Sequence, residues 1–255
     1  MIDLHSHILP GVDDGAATLD ESLEIARALA DAGVVKLAAT PHVRADYPTT
    51  PDMMEERLAS VRERLSANAV QLEVLPGAEV ALDVLPDLEP EELARFGLGG
   101  NPSLLLLEFP YSGWPGQLAS ALADLRGAGF TVVLGHPERN DEVQAAPATL
   151  WPLVEAGAFV QLTAASVVGA FGRGARDAAH ALLDLELAHL VATDAHSADR
   201  RIAIGNEIVS ALASDVPLAR WLTSEVPAAL LGSQALPPRP PPRRRRLWSA
   251  FRFRW

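Results

Sequence analysis

The sequence predicts an α/β fold in which seven parallel strands alternate with crossover helices. Seven short apolar runs end in polar clusters, and the segments between them carry apolar residues at helical period. The chain has 255 residues, 49% hydrophobic and 21% charged, which suits a single sizeable core and excludes a wholly disordered chain.

The expected strands are residues 2–4, 34–40, 70–75, 104–109, 131–134, 158–163 and 190–193. The first helix is announced by Thr18-Leu-Asp-Glu21, a capping-box pattern, followed by Leu23, Ala26 and Ala30 on one face and Gly33 as the stop. Helical period also fits 51–65, 115–127, 146–155, 174–185, 201–212 and 218–231. Regular alternation of strand and helix favours parallel pairing, because parallel neighbours need a crossover. From Pro237 the composition turns to Pro, Arg and aromatic residues, so a folded unit of residues 1–236 and a flexible basic tail of 237–255 are expected.

There is no cysteine, which removes disulfides, thiolate metal sites and cysteine nucleophiles. The net charge is −12, although residues 236–255 hold seven Arg and no acid. A body this acidic is a poor partner for nucleic-acid phosphates. No apolar run approaches ~18 residues and no signal peptide opens the chain, so a cytoplasmic location is expected.

Polar residues stand at the ends of six of the seven expected strands. His5 and His7 share one face of the first, since alternate residues of a strand point the same way. His42 follows the second, Glu79 follows the third, Glu108 interrupts the fourth, His136 follows the fifth, and Asp194 and His196 follow the last. In a parallel barrel these ends open on one face, where ligands distant in sequence become neighbours. Asp13 and Asp14 lie in a Gly-Val-Asp-Asp-Gly loop from which either could reach that face, although such a loop is also ordinary turn chemistry. His180 and His189 fit structural roles. Tyr111 and Trp114, after Glu108, could line an aromatic pocket or pack the rim. Imidazoles and carboxylates without thiolate suit Mn, Fe or Zn.

With these motifs assembled (residues 1–15, Ala39-Thr-Pro-His42, Pro76-Gly-Ala-Glu79, Leu107-Glu-Phe109, Gly135-His-Pro-Glu-Arg139 and Thr193-Asp-Ala-His196), the sequence resembles the PHP (polymerase and histidinol phosphatase) superfamily. Within it, the sequence is most similar to the metal-dependent bacterial protein-tyrosine phosphatases of capsule and exopolysaccharide loci. The resemblance implies a distorted (β/α)7 TIM-like barrel with three divalent ions, manganese by preference. It implies one ion among His5, His7, Glu79 and Asp194, a second held by Glu79, Glu108 and His136, and a third by Asp14, His42 and His196. It favours Asp14 over Asp13 as ligand. Arg139 and Arg201 are the implied phosphate-binding catalytic residues, with Arg200 able to exchange with Arg201 and Arg44 a weaker candidate. The implied partner is a phosphotyrosine protein, a membrane-associated tyrosine kinase that regulates polysaccharide synthesis.

The Arg- and aromatic-rich tail departs from the family pattern and suits an anionic membrane surface, hence a peripheral position at the inner face of the membrane. Two alternative functions share the same residues. One is a small-molecule phosphomonoesterase such as a histidinol phosphatase, and the other is a non-catalytic metal-stabilised binding module. A PHP nuclease is disfavoured by the acidic body.

Overall fold

The computed structural model describes residues 1–198, 206–212 and 215–241. Ten strands are present among them: β1 (Ile2–Asp3), β2 (Lys36–Ala38), β3 (His42–Arg44), β4 (Tyr47–Pro48), β5 (Glu73–Leu75), β6 (Glu79–Ala81), β7 (Leu104–Glu108), β8 (Thr131–Gly135), β9 (Phe159–Thr163) and β10 (Leu190–Ala192). They form two sheets, ordered β1-β2-β5 and β10-β9-β8-β7-β6-β3-β4. Every pairing is parallel except the β3–β4 hairpin.

Backbone bonds stitch the two sheets into one closed barrel. Thr40 N–H donates to Ser6 O at 2.8 Å, Ala39 N–H to Leu75 O at 2.9 Å and Glu79 N–H to Pro41 O at 3.0 Å. On the other side Ser6 bridges Ala195, and Asp194 N–H donates to His5 O at 2.9 Å. Ten strands thus amount to the seven expected staves plus β4. The second and third staves run further than the expected 34–40 and 70–75. Each is interrupted at a proline, Pro41 or Pro76, which has no N–H to give the ladder, and pairing resumes as β3 and β6. The interruption positions the site, because His42 and Glu79 begin the resumed strands and face one another in register.

The central staves are apolar on both faces because helices cover the outside. Leu105, Leu107, Val133, Val160 and Leu162 are fully buried. The covering helices are α1 (Leu19–Asp31), α2 (Pro51–Ala67), α3 (Pro90–Arg95), α4 (Leu118–Gly127), α5 (Asp141–Ala145), α6 (Trp151–Glu155), α7 (Ala164–Val168), α8 (Arg173–Asp184), α9 (Asn206–Ala211), α10 (Val216–Arg220) and α11 (Val226–Leu231). Thr18 caps α1 by accepting from Glu21 N–H at 3.2 Å, while the Glu21 carboxylate reaches back to Ala17 N–H at 2.8 Å.

Several helical expectations are revised. Residues 147–150 form a 3-10 turn ahead of α6, and a π-turn at Trp221–Glu225 joins α10 to α11, just before Pro227, which supplies no amide to the ladder. α3, α5 and α7 are too short for periodicity to reveal. Of the helix expected over 201–212, Asn206–Ala211 lies within the described residues.

Contacts with the barrel continue past Leu236, the expected boundary. Arg239 donates to Leu183 O and Ala188 O, both at 2.9 Å, and its guanidinium lies over Trp221, whose Nε1 donates to Pro237 O at 3.0 Å. Residues 237–241 therefore run along the barrel, held by a cation that satisfies one carbonyl in the last turn of α8 and one in the loop that follows it. The rest of the expected tail lies outside the described residues.

Candidate metal centre

Eight of the nine expected ligands converge at the C-terminal ends of the staves. His5, Glu79 and His136 form one group, His5, His7 and Asp194 a second, and His7, Asp14, His42 and His196 a third, the ligand atoms of each lying within 4.8 Å of one another. His5, His7, Glu79 and His136 are buried to 1% exposure or less.

The innermost distances fit those between ligands of one ion. His5 Nε2 and His7 Nε2 lie 3.2 Å apart, and both are 3.3 Å from Asp194 Oδ1. Glu79 Oε2 is 3.3 Å from His5 Nε2 and 3.5 Å from His7 Nε2. An edge of about 3.3 Å belongs to a tetrahedron whose vertices are ~2 Å from its centre, the ligand distance of a first-row divalent ion. Unpartnered atoms point the same way. His42 Nδ1 and Glu79 Oε2 are 3.0 Å apart and buried, yet neither finds a partner in hydrogen-bonding geometry. Buried polar atoms are rarely left so without an ion or water to meet them.

The electrostatics agree. Burial alone would strip the proton from His5, but the Glu79 and Asp194 carboxylates raise it to about 9. His7 is held well above its usual value in the same way by Asp13 and Asp194. Burial disfavours the Asp194 and Glu79 charges, and the surrounding imidazoles nonetheless keep both carboxylates ionised. The pocket is built to compensate concentrated negative charge with cations, and divalent ions would do so more completely than protons.

Local backbone explains how these side chains arrive. His136 and Asp194 have positive φ, 38° and 55°, at the points where β8 and β10 hand over to their loops. Such strain in non-glycine residues survives only where surrounding structure enforces it. Gly15 is required by crowding: a Cβ there would stand 2.0 Å from His7 O, at the place where Ala16 N–H binds that same oxygen at 3.0 Å. This contact folds the Asp13-Asp14 loop back onto β1.

The two aspartates then divide. Asp14 Oδ1 lies 3.4 Å from both His42 Nε2 and His196 Nε2, in the group expected for it. Asp13 turns inward to His7 Nδ1 and the His42 amide. Glu108 departs from the expected partition and falls outside the three groups. Arg44 Nη1 donates to its Oε1 at 3.0 Å and draws it off, leaving Oε2 3.7 Å from His42 Nδ1 and no close approach to His136. His136 Nε2 meets Glu79 Oε1 at 2.8 Å instead.

Arg139 Nη1 donates to Asp194 Oδ2 at 2.9 Å, so one expected arginine borders the centre. Arg200 and Arg201 lie outside the described residues. Arg44 is engaged by Asp46 as well as Glu108. Tyr111 stacks on His136 with centroids 5.6 Å apart, whereas Trp114 packs edge-on against Phe109, so only Tyr111 faces the centre. His180 binds Val167 O and His189 Nδ1 accepts from Val160 N–H, both structural roles.

Three supporting residues escaped the sequence reading. Asp3 is 2% exposed and accepts from Thr193 Oγ1 at 2.5 Å and from the amides of Thr193 and His5, tying β1 to the last stave. Gln161 Oε1 meets His5 Nδ1 at 2.8 Å and sets the orientation of that ring. Glu138 is fully buried, accepts from Thr163 N–H at 2.9 Å, and has its pKa raised by burial. Asp3 was readable, since its spacing of two from His5, and His5's from His7, continues one alternating pattern in the sequence. Gln161 and Glu138 carry no such pattern.

Comparison with known proteins bears on this centre. Residues 1–214 match the capsular polysaccharide synthesis family CpsB/CapC. The chain belongs to that family. Among CpsB/CapC relatives it is 34% identical to the tyrosine-protein phosphatase YwqE of Bacillus subtilis (strain 168), over 98% of this chain and 100% of that one. It is 30% identical to the tyrosine-protein phosphatase CpsB of Streptococcus pneumoniae, over 79% of this chain and 85% of the other. A crystal structure from work on YwqE and CpsB, described as unique metal-dependent tyrosine phosphatases, superposes with a TM-score of 0.84 at 33% identity, covering 94% of this chain and 99% of that chain. The CpsB/CapC architecture is thus shared across nearly the whole barrel. Among the described residues no helix is long and apolar enough to cross a membrane.

Proposed function

We propose that this chain is a metal-dependent protein-tyrosine phosphatase whose protein substrate is a tyrosine kinase of polysaccharide synthesis. The observation that carries the reading is the convergence of His5, His7, Glu79 and Asp194 at tetrahedral-edge distances beside Arg139, in a chain 34% identical to a tyrosine-protein phosphatase.

Asp14, His42 and His196 would hold one ion, His5, His7 and Asp194 a second, and Glu79 with His136 a third, with Glu108 entering if Arg44 releases it. Manganese is the preferred occupant. Such ions, when bound, lower the pKa of a water and neutralise charge on phosphoryl oxygens during in-line displacement. The protein's own groups do the rest. Arg139 offers a planar fork of N–H donors to the phosphoryl oxygens, and Arg201 is proposed to share that task. A cavity of about 490 Å³ opens beside the centre, with Leu82, Pro110, Tyr111 and Pro115 on an apolar wall and Arg44, Asp46, Asp83, Glu108 and Gln117 on the polar side. Its apolar wall suits the phenyl ring of a phosphotyrosine.

The test is phosphate release by chelator-stripped protein with Mn²⁺ restored. Faster release from a phosphotyrosine peptide than from histidinol phosphate supports the reading, and the reverse order makes the chain a small-molecule phosphomonoesterase. Release from neither substrate with any divalent ion leaves a metal-stabilised binding module.

The basic residues beyond 241 are proposed to bring the enzyme to an anionic membrane surface. Flotation with phosphatidylserine vesicles should retain the full chain and lose a 1–241 truncation, which keeps the Arg239 contacts.

A further inference from the structure

Arg139 is held at three points supplied by three different loops. Its Nη1 binds Asp194 Oδ2 at 2.9 Å, and its guanidinium carbon lies 4.5 Å from the Tyr111 ring centroid and 4.6 Å from that of Phe171. Neither ring belongs to the core. Tyr111 is 47% exposed and Phe171 37%, and large aromatic groups left so open at the rim of a site do little for stability. Phe171 sits in a tight loop between α7 and α8, flanked by Gly169 and Gly172 with φ of 89° and 92°. Gly169 closes α7 and Gly172 opens α8, so the loop that carries Phe171 is short and held between two helix ends. Tyr111 in turn rests on His136, so the clamp is registered to the metal centre itself.

We propose that Phe171 and Tyr111 are positioning residues that clamp Arg139 for the phosphoryl group. This rests on the phosphatase reading above. A long guanidinium side chain has many rotamers, and stacking on ring faces removes them before substrate arrives. The Asp194 contact alone would leave the plane of the fork free to turn, and bidentate recognition depends on that plane.

The test uses the full-length, Mn²⁺-loaded protein and four variants: Phe171→Leu, Phe171→Tyr, Arg139→Ala and the Phe171→Leu/Arg139→Ala pair. Phe171→Leu should lower kcat on a phosphotyrosine peptide about 5- to 10-fold with KM within about 2-fold, in the range of a partly exposed cation–π contact. Phe171→Tyr should restore it. In the Arg139→Ala background the same change should cost under about 2-fold, because its effect runs through Arg139. An equal loss in both backgrounds, or no loss in either, overturns the clamp.

A second readout does not depend on turnover. The Arg139 Nε–H resonance should report an ordered guanidinium in wild type and a markedly more mobile one in Phe171→Leu, and equal order in both overturns the proposal. Failure of the phosphatase reading shows itself separately, as absence of phosphate release by wild-type protein.

Discussion

Asp13 Oδ2 lies 2.8 Å from Nδ1 of His7, and the same oxygen accepts the His42 amide at 3.1 Å. One carboxylate thus fixes the tautomer of one candidate ligand and the backbone of another while its neighbour, Asp14, faces the centre. With an ion held by His7 this would be the carboxylate–histidine–metal arrangement in which the outer group orients the inner one. Asp13→Asn should weaken manganese binding about 10- to 100-fold without changing stoichiometry, and Asp14→Ala should remove one ion per chain. Calorimetric titration with elemental analysis distinguishes the two. The opposite pattern would exchange their roles.

Gly15→Ala should damage both stability and activity. The added Cβ would overlap His7 O, a backbone atom that cannot step aside without shifting β1, and forced overpacking of this kind costs about 1–3 kcal/mol. A lowered urea midpoint together with reduced manganese affinity is expected. A variant that keeps wild-type metal affinity would show that the loop finds another path.

His136→Ala should reduce turnover by at least about 100-fold while the chain remains folded, as the ring is the proposed ligand beside Glu79. Circular dichroism and phosphate release from one preparation check both halves. A rate near wild type removes His136 from the site.

The acid limb of stability should carry a signature of His189. Burial, and then the nearby Arg239 charge, lower its pKa from 6.5 to about 4, so the folded protein holds it neutral where the unfolded chain would take up a proton. Its contribution is complete above pH 6.5 and is lost as pH falls to about 4. His189→Asn, which keeps an acceptor near the position of Nδ1 for the Val160 amide, should therefore lose less stability than wild type across that window. Parallel urea titrations at pH 7, 5.5 and 4 measure the difference, and identical slopes would exclude the linkage.

Much of this protein can be read from residue order alone. Alternating apolar runs and helical periods are local patterns, so the seven staves, the longer crossover helices and the strand ends bearing His5, His7, His42, Glu79, His136, Asp194 and His196 were legible, whereas the short α3, α5 and α7 were not. The absence of cysteine and the choice of imidazole and carboxylate likewise settled the chemistry of the donors before any geometry. Other features depend on contacts between segments far apart in the chain. Only the closed barrel shows that Arg44 draws Glu108 aside, that Gln161 and Asp3 support His5 and the last stave, and that Arg239 is strapped to the body. Asp13 and Asp14 are adjacent and chemically identical, so composition cannot tell them apart. The choice falls to the Gly15–His7 contact, which turns one carboxylate inward and leaves the other facing the centre.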